Sequence, residues 1–444
     1  MAVEFSDNLT SAKQATIAIV GGGIAGVTLA AGILRHAPHV SITLYEAASA
    51  FGEIGAGVGF GPNAVTAMTL IDPAIREGFE RRATYNQTEA KKHDVFDLRV
   101  GDERLDTIKW NTARGSQPGG GELGLGPPFH TIAAPWGQAS VHRAHFLDEV
   151  VKLLPKGVAQ HRKRLVDIEP SASGGVLLRF EDGTSAEHDA IIGCDGIKSN
   201  TRLLLLGEKD PAARAVFSGK YAYRGLVPMD QAVKLLGDEL ARNGQMYVGY
   251  HGHIVTFPIE KGRTMNVVAF SSKETWDQEA WVVSTSKEAL YADFEGWGPT
   301  VHSVLQLMQK TDIWALFDHP PASSYSKGRI CLLGDAAHAS TPHQGAGAAM
   351  ALEDAYVMSR LLATVSSTED IEAAFQSFDT IRRPRTQKLV KTSRESGKLF
   401  DFELEGVGDN IDLIREDAKQ RFHWIWHDNW AGEVDKAKRV PGGS

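Results

Sequence analysis

A glycine-rich turn near the N-terminus constrains the fold more than any other feature of this sequence. The apolar run at residues 17–20 is followed by Gly21, Gly23 and Gly26, which have the spacing G-x-G-x-x-G, and then by a helical pattern. In a βαβ unit the first glycine permits the tight turn, the second lets the backbone approach a pyrophosphate, and the third lets the helix pack on the strand. The segment therefore predicts a parallel sheet with a dinucleotide at the helix N-terminus.

A carboxylate at the end of the next apolar segment supports this prediction. The segment SITLYE ends in Glu46, where a carboxylate can accept hydrogen bonds from ribose hydroxyls. The other glycine-rich stretch, GGGELGLGPPF from Gly119, has no strand before it and is predicted to be a surface loop. The sequence thus predicts one firmly bound dinucleotide, and either a flavin or a nicotinamide satisfies the fingerprint.

Composition narrows the class of protein. The chain of 444 residues is long enough for two packed domains or for one large α/β domain with an added layer. Its net charge is −8 and it has no long basic block, so we expect no nucleic-acid partner; no metal site is predicted.

The N-terminus lacks the features of a secretory signal, and no segment approaches the roughly 18 apolar residues of a membrane span. We therefore expect a cytoplasmic protein with no membrane partner, and Cys194 and Cys331 are predicted to be buried thiols.

Two later strands favour the flavin. The segment AEHDAIIGCDGIKS reads as a strand that ends at Asp195, and GRICLLGDAAH reads as a strand that ends at Asp335. A carboxylate at a strand end can accept hydrogen bonds from a ribityl chain, which flavin has and nicotinamide lacks. The alternative for a single aspartate of this kind is a helix cap.

Together these segments resemble a known family. GGGIAG, GCDGIKS and GDAAHASTPHQGAGAAMALEDA are similar to motifs of the class A FAD-dependent aromatic hydroxylases, which are single-component flavoprotein monooxygenases. FGEIGAGVGFGPNAVTAM, GQASVHRAHFLDEV and MYVGYHGHIVTFPI resemble the salicylate hydroxylase branch, and HDNW near Trp430 resembles its fungal members. The resemblance implies an α/β protein with a Rossmann-like FAD-binding domain, of the type found in glutathione reductase and p-hydroxybenzoate hydroxylase, a β-sheet substrate domain and C-terminal helices.

The expected division of the chain follows from this resemblance. The FAD-binding domain is expected in three parts, at residues 1–85, 136–205 and 330–365. Residues 86–135 form an insertion of the substrate domain with a loop, residues 206–329 form the substrate-binding sheet, and residues 366–444 form a helical region. The helical region is predicted to be scaffold or a dimer surface, with Pro384 interrupting or starting a helix.

The resemblance also assigns cofactor contacts. It places Glu46 at the adenosine ribose, Asp335 at the ribityl chain, and the helix that begins near Gly345 at the pyrimidine end of the flavin. A helix N-terminus suits that end because reduced flavin carries negative charge there. For Arg143 the alternative is an exposed arginine at a helix start. The full set of expected cofactor contacts is Gly21, Gly23, Gly26, Glu46, Gly59, Arg143, Asp195, Asp335, Gly345, Gly347 and Ala348.

Strand-like segments between Phe217 and Arg329 predict an antiparallel sheet that covers the flavin and excludes water. Arg224 lies within one of these strands and can pair with a phenolate or carboxylate; a structural ion pair or an outward-facing position is the alternative. Met246 and Phe257 are expected to line an apolar substrate wall or to be ordinary core residues. His253 is expected either at the substrate or as a satisfied turn residue. Phe257 stands where dearomatising relatives can have a tyrosine, which favours a simpler pocket of the salicylate type.

Two histidines, His338 and His343, precede the last glycine-rich segment. His343 precedes a glycine-rich helix entry, and the resemblance makes it the candidate for the base that accepts the phenol proton. Arg224 is the second candidate catalytic residue. His338 is expected to have a structural role.

The resemblance implies an FAD-dependent monooxygenase that hydroxylates a phenolic acid through a C4a-hydroperoxyflavin. Tightly bound FAD, transient NADH or NADPH, and O₂ are the expected cofactors, and a homodimer is an expected assembly. The leading hypothesis is conversion of salicylate, NADH and O₂ to catechol and CO₂. Oxidative dearomatisation of a larger fungal polyketide phenol is the nearest alternative, followed by a flavoprotein without oxygenase activity and by an NAD-dependent dehydrogenase.

Overall fold

Strands and helices are mixed along the chain, as the predicted α/β class requires. The computed structural model describes residues 14–52, 57–105, 127–135, 137 and 139–437, and the glycine-rich stretch at Gly119 lies mostly outside them. The strands are β1 (Thr16–Val20), β2 (Ser41–Glu46), β3 (Gly57–Phe60), β4 (Asp94–Val100), β5 (His130–Ala133), β6 (Ala139–His142), β7 (Ala159–His161), β8 (Leu165–Pro170), β9 (Val176–Phe180), β10 (Ser185–His188), β11 (Ala190–Gly193), β12 (Val216–Pro228), β13 (Gln245–Gly249), β14 (Gly252–Ile259), β15 (Thr264–Ser272), β16 (Val282–Val283), β17 (Ile313–Asp318), β18 (Ser326–Lys327) and β19 (Ile330–Leu332).

The helices pack around these strands. They are α1 (Ile24–His36), α2 (Pro62–Ile71), α3 (Pro73–Arg82), α4 (Arg143–Val151), α5 (Asn200–Leu206), α6 (Met229–Arg242), α7 (Lys287–Asp293), α8 (Pro299–Leu307), α9 (Asp335–His338), α10 (Gly347–Leu362), α11 (Asp370–Phe400), α12 (Ile411–Arg421), α13 (His423–His427) and α14 (Trp430–Ala437). Single 3₁₀ turns lie at Glu89–Lys91, Glu260–Gly262 and Pro342–Gln344.

The predicted βαβ unit lies at the centre of a six-stranded sheet. The strand order is β18-β19-β11-β1-β2-β7, and all neighbours except β18 and β19 pair in parallel. Parallel strands end at the same edge of a sheet, and ligands bind outside that edge. The topology therefore brings the residues that follow β1, β11 and β19 together, which are Gly21, Asp195 and Asp335.

A second, eight-stranded sheet contains the predicted substrate layer. Its order is β16-β17-β12-β15-β14-β13-β4-β5, and the strands predicted between Phe217 and Arg329 pair antiparallel. The sheet is extended by β4, which pairs in parallel with β13. Strands β13 and β14 form a hairpin, in which His251 has a φ of 63°. Only the second residue of the two-residue loop has a positive φ, as in a type II turn.

The two faces of this sheet have different functions because side chains alternate along a strand. One face packs Tyr223, Ile254 and Val267 into a core with α6 and α8. The opposite face points towards the six-stranded sheet and carries the predicted substrate residues. The eight-stranded sheet therefore holds a structural core on one side and lines a cavity on the other.

The C-terminal helical region differs from the prediction at Pro384. This proline lies inside α11, which runs unbroken from Asp370 to Phe400, and it does not interrupt or start a helix. An internal proline costs about 3 kcal/mol because it removes a hydrogen bond and crowds the preceding turn. Burial of side chains such as Phe375, Phe378 and Phe400 along α11 offsets that cost.

Two expectations from composition can be compared with the structure. Cys194 and Cys331 are buried free thiols, as predicted, and burial raises the pKa of both. Among the residues that the structure describes, no helix is long and apolar enough to cross a membrane.

Candidate active site

A cavity of about 750 Å³ lies between the ends of the parallel strands and the inner face of the eight-stranded sheet. This volume is within the range of ordinary ligand and cofactor sites. All the predicted site residues line the cavity except Gly26. Residues that are more than 300 positions apart in the chain therefore meet in one place, as Gly21 and His343 do.

Gly26 serves helix packing and does not line the cavity. A Cβ atom at this position would lie 1.9 Å from the carbonyl oxygen of Gly21. This matches the role predicted for the third glycine, which lets α1 approach the strand. Gly21 itself has a φ of 105°, a conformation that glycine adopts without strain.

The turn between β1 and α1 offers hydrogen-bond donors to the cavity. No side chain caps the N-terminus of α1 at Gly23. The first amide groups of a helix have no partner within the helix, so those of α1 are available to an anion. At the same turn the carboxylate of Glu46 accepts a hydrogen bond of 2.6 Å from the amide of Gly22, which fixes the carboxylate at the cavity rim.

A second helix N-terminus faces the same cavity. Helix α10 begins at Gly347 with no side-chain cap, and Gly347 and Ala348 line the cavity. Just before it, Gly345 has a φ of 59°, in the left-handed region that favours glycine. Two uncapped helix ends therefore give the cavity a positive potential built from backbone dipoles.

The inner face of the eight-stranded sheet forms the opposite wall. Arg224, Val268, Val255 and Met246 lie side by side in one row across four strands. The neighbouring rows add His253 and Phe270 on one side and Phe257 on the other. This wall is apolar except for Arg224 and His253, which suits an aromatic ring with few polar groups.

Arg224 has no counter-charge in the part of the chain that the structure describes. Its Nε is buried without a hydrogen-bond partner, and its guanidinium lies 4.7 Å from the ring centre of Trp314. Burial and the nearby charge of Arg143 both lower the pKa of Arg224. Neither alternative from the sequence, a structural ion pair or an outward-facing position, describes this side chain.

His343 and His253 meet at the same end of the cavity. Nδ1 of His343 lies 3.4 Å from Nε2 of His253, and Nδ1 of His253 lies 2.6 Å from Oδ1 of Asp401. Burial, followed by the proximity of His253, lowers the pKa of His343 well below its usual value. His253 is a fully buried residue of strand β14, so the alternative that placed it in a turn is wrong. Its side chain does have hydrogen-bond partners, as that alternative expected.

Comparison with known proteins supports the resemblance to FAD-dependent aromatic hydroxylases. A family model described as an FAD binding domain matches residues 175–393. The chain is 40% identical to 6-methylsalicylate 1-monooxygenase of Aspergillus terreus, over 94% of this chain and 90% of that protein. It is 39% identical to salicylate hydroxylase of Pseudomonas putida, over 95% and 94% of the two chains. The chain belongs to this family of FAD-dependent aromatic monooxygenases.

A solved structure agrees with this membership. The structure titled salicylate hydroxylase substrate complex superposes with a TM-score of 0.83 at 34% identity, and the match covers 97% of this chain and 99% of that one. The predicted resemblance and the predicted Rossmann-like FAD-binding fold are therefore confirmed.

In this monooxygenase the two strand-end aspartates differ. The carboxylate of Asp195 accepts hydrogen bonds from Ser199 Oγ at 2.5 Å and from the amide of Thr201 at 2.9 Å. Asp195 thus performs the helix-capping role that was its alternative, although it also lines the cavity. Asp335 makes no side-chain hydrogen bond among the described residues. Burial lowers the pKa of the nearby Arg143 guanidinium, and the charge of Asp335 partly opposes that effect. Arg143 itself is half-buried at the cavity wall, so the alternative of an exposed arginine is wrong.

His338 belongs to a buried ion network outside the cavity lining. Its Nε2 lies 2.6 Å from Asp354, which also accepts a hydrogen bond of 2.6 Å from Arg382. Burial would raise the pKa of Asp354, but His338 and Arg382 lower it to about 2. The structural role predicted for His338 is confirmed.

Several residues of this site are not predicted by the sequence patterns. Phe270 could have been found, because it lies two positions from Val268 on the same face of β15. Asp401 and Lys220 gave no signal, because an aspartate after a helix and a lysine in a strand are ordinary surface residues in sequence. The C-terminal region supplies Asp401 and also Phe422, so it does more than the predicted scaffolding.

Proposed function

We propose that FAD binds across the cavity with its pyrophosphate at the N-terminus of α1 and its flavin at the N-terminus of α10. The uncapped helix ends support this placement, since both attract negative charge. Glu46 would hold the adenosine ribose and Asp335 the ribityl chain, with Gly59 and Arg143 beside the flavin. Bound FAD, reduced by transient NADH or NADPH, supplies the chemistry that transfers one oxygen atom of O₂ to the substrate.

We propose salicylate as the substrate, with catechol and CO₂ as products. The observation that carries this proposal is Arg224, a cation with a buried and unpartnered Nε in an otherwise apolar wall. An arginine in this setting binds a carboxylate through charge-assisted hydrogen bonds. Met246 and Phe257 would contact the ring, and the relatives named for salicylate and 6-methylsalicylate support this class of phenolic acid.

His343 is proposed as the group that receives the phenol proton. Deprotonation makes the aromatic ring a stronger nucleophile, and a neutral imidazole is the form that can accept a proton. The lowered pKa keeps His343 neutral near pH 7, and its Nε2 has no hydrogen-bond partner. His253 would support this role from the adjacent strand.

The second candidate is hydroxylation of a larger fungal phenol with loss of aromaticity. Sequence similarity does not single out salicylate, because a Monascus ruber protein named only as an FAD-dependent monooxygenase is also 40% identical, over 93% of each chain. Two features favour the smaller acid. One cavity of about 750 Å³ has to accept FAD together with the phenol, and Phe257 has no hydroxyl group to orient a phenolate.

The test uses purified holoenzyme. A flavin absorption spectrum is recorded first, and NADH oxidation is then measured with salicylate, 6-methylsalicylate, unsubstituted phenol and a bicyclic phenol without a carboxylate. We expect substrate-dependent NADH oxidation with salicylate, accompanied by equal amounts of catechol and CO₂. Turnover of the bicyclic phenol without CO₂, together with no catechol from salicylate, would overturn the proposal in favour of the second candidate.

A further inference from the structure

A network of buried polar side chains begins at the cavity wall and continues behind it. His343, His253 and Asp401 are 5%, 0% and 0% exposed, and consecutive members are in hydrogen-bond contact. They come from a 3₁₀ turn, from strand β14 and from the residue after α11. Three separate structural elements therefore contribute one side chain each to this buried network.

The network extends from Asp401 to the protein surface. Oδ2 of Asp401 accepts a hydrogen bond of 2.5 Å from Lys220, which also donates to Glu403 at 2.5 Å. The carboxylate of Glu403 lies 3.1 Å from Nδ1 of His251. The side chains of Glu403 and His251 are 26% and 72% exposed, so the network connects the cavity wall with solvent.

The hydrogen bonds fix the direction in which a proton can move. Asp401 accepts a hydrogen bond from Nδ1 of His253. In the neutral imidazole the proton is then on Nδ1, so the lone pair of His253 is at Nε2. That lone pair can accept from Nδ1 of His343, which leaves the lone pair of His343 at its unpartnered Nε2. Helix α11 passes over the face of this ring at Gly397, where a Cβ would lie 2.7 Å from both Cδ2 and Nε2. The glycine therefore lets the helix pack closely against the imidazole.

The charges of the network favour uptake of one proton. Asp401 and Glu403 are negative and Lys220 is positive, so the network has a net charge of −1 when both buried imidazoles are neutral. One added proton makes it neutral. Burial would raise the pKa of Asp401, yet His253 and Lys220 hold it below its usual value, so the carboxylate stays ionised beside His253. In a low-dielectric interior such a carboxylate strongly stabilises an imidazolium.

We propose that His343 and His253 together store the proton released by the substrate's phenol group and that Asp401 is the positioning residue that makes this storage possible. This inference rests on the proposed phenol hydroxylation. The phenol O–H bond breaks as an N–H bond forms at Nε2 of His343, and the proton on Nδ1 of His343 passes to Nε2 of His253. The positive charge then lies on His253 against Asp401, and the reverse transfers return the proton to the product.

The test measures ionisation of a bound phenol without turnover. The probe is 5-nitrosalicylate, whose phenolate form has its own visible absorption, titrated into holoenzyme between pH 5 and pH 9 without NADH. We expect Asp401→Asn to raise the apparent pKa of the bound phenol by about 1 to 3 units, the size of effect that a nearby opposite charge has. Hydroxylation of salicylate by this variant should fall at neutral pH, recover as pH rises, and show little change in KM.

Matched variants separate this role from a general loss of packing. Asp318 is also a buried carboxylate in an ion pair with α11, through Arg394, but it lies outside the network. Asp318→Asn should therefore leave the apparent pKa of the phenol unchanged. Asp401→Glu keeps the carboxylate and should restore part of the wild-type pKa of the bound phenol. His253→Gln should raise that pKa as Asp401→Asn does, and it replaces Asp401→Asn in the test if Asp401→Asn folds poorly.

The outcomes distinguish the two proposals. If wild-type enzyme hydroxylates salicylate while Asp401→Asn and His253→Gln keep the wild-type phenol pKa and pH profile, the proton-storage proposal is overturned and the proposed function stands. If wild-type enzyme oxidises NADH with no phenol of the panel, the proposed function itself fails.

Discussion

Replacement of Arg224 by methionine should make the protein more stable and a poorer binder of phenolic acids. The reason is the environment of this side chain, which has a buried Nε without a partner and the charge of Arg143 nearby. Proteins rarely leave a buried donor unsatisfied, because the group loses its hydration and gains nothing in return. Methionine has a similar length and would extend the apolar row formed with Val268 and Val255.

The two effects can be estimated separately. Removing a buried unsatisfied donor relieves about 1–3 kcal/mol, whereas losing the cation–π contact with Trp314 costs about 0.5–1 kcal/mol. The free energy of unfolding should therefore rise by about 1 kcal/mol. A hydrogen bond to a charged group contributes about 1.5–3 kcal/mol, so the Kd for salicylate should rise by a factor of about 10 to 150.

Both effects are measurable on the same preparations of holoenzyme. Urea unfolding gives the stability of the wild type and of Arg224→Met, and titration of the flavin absorption gives Kd values for salicylate and for unsubstituted phenol. Phenol lacks the carboxylate, so its Kd should change little. Arg224→Lys keeps the charge without the planar fork and should bind salicylate with intermediate affinity. A variant that is destabilised by more than 1 kcal/mol and binds salicylate as tightly as wild type would refute the assignment of Arg224 as the carboxylate anchor.

Two further substitutions test packing and protonation. In Gly397→Ala the free energy of unfolding should gain about 1 kcal/mol from helix propensity but lose about 1–3 kcal/mol, because the new Cβ would lie 2.7 Å from the His343 ring. Unfolding assays should therefore show the full gain only when His343→Ala removes that ring. His319 is buried, and desolvation followed by the charge of Arg202 lowers its pKa to about 3. The unfolded chain binds this proton near pH 6.5, so stability should fall by about 2 kcal/mol from pH 7 to pH 5, and His319→Gln should reduce that slope. An unchanged slope in this variant would contradict the buried neutral state of His319.

The cofactor half of the site could be predicted because its signals are local. Gly21, Gly23 and Gly26 are close in sequence, and each meets a requirement of the backbone that holds in any βαβ unit. Asp335 could be placed for a similar reason, since parallel strands end at one edge of the sheet. The inner face of the substrate sheet follows from alternation along β12, β14 and β15, once the strands are recognised.

The proton network could not be predicted, because it depends on tertiary partners that leave no pattern in the sequence. Asp401 and His253 are 148 positions apart, and Lys220 is 181 positions from Asp401. Each residue has an ordinary local interpretation, and only the packing of the end of α11 against β14 joins them. The unbroken helix at Pro384 has the same cause, since tertiary burial along α11 overrides a strong local preference. The domain boundaries inferred from the sequence stay a prediction.

The two walls of the cavity create their electric fields in different ways, and this has a consequence for stability. The cofactor wall uses the N-termini of α1 and α10, whose dipoles exist in any helix and require no buried charge. The substrate side uses full charges, on Arg224 in the wall and on Asp401 and Lys220 behind it, and these groups lose hydration on burial. The outer face of the same sheet packs in one apolar core, and Ala222, Met246, Val255 and Phe270 of the inner face pack in a second one with the C-terminal helices. Substitution of Arg224 should therefore change binding more than folding, whereas substitution of these apolar residues should also lower the stability of the fold.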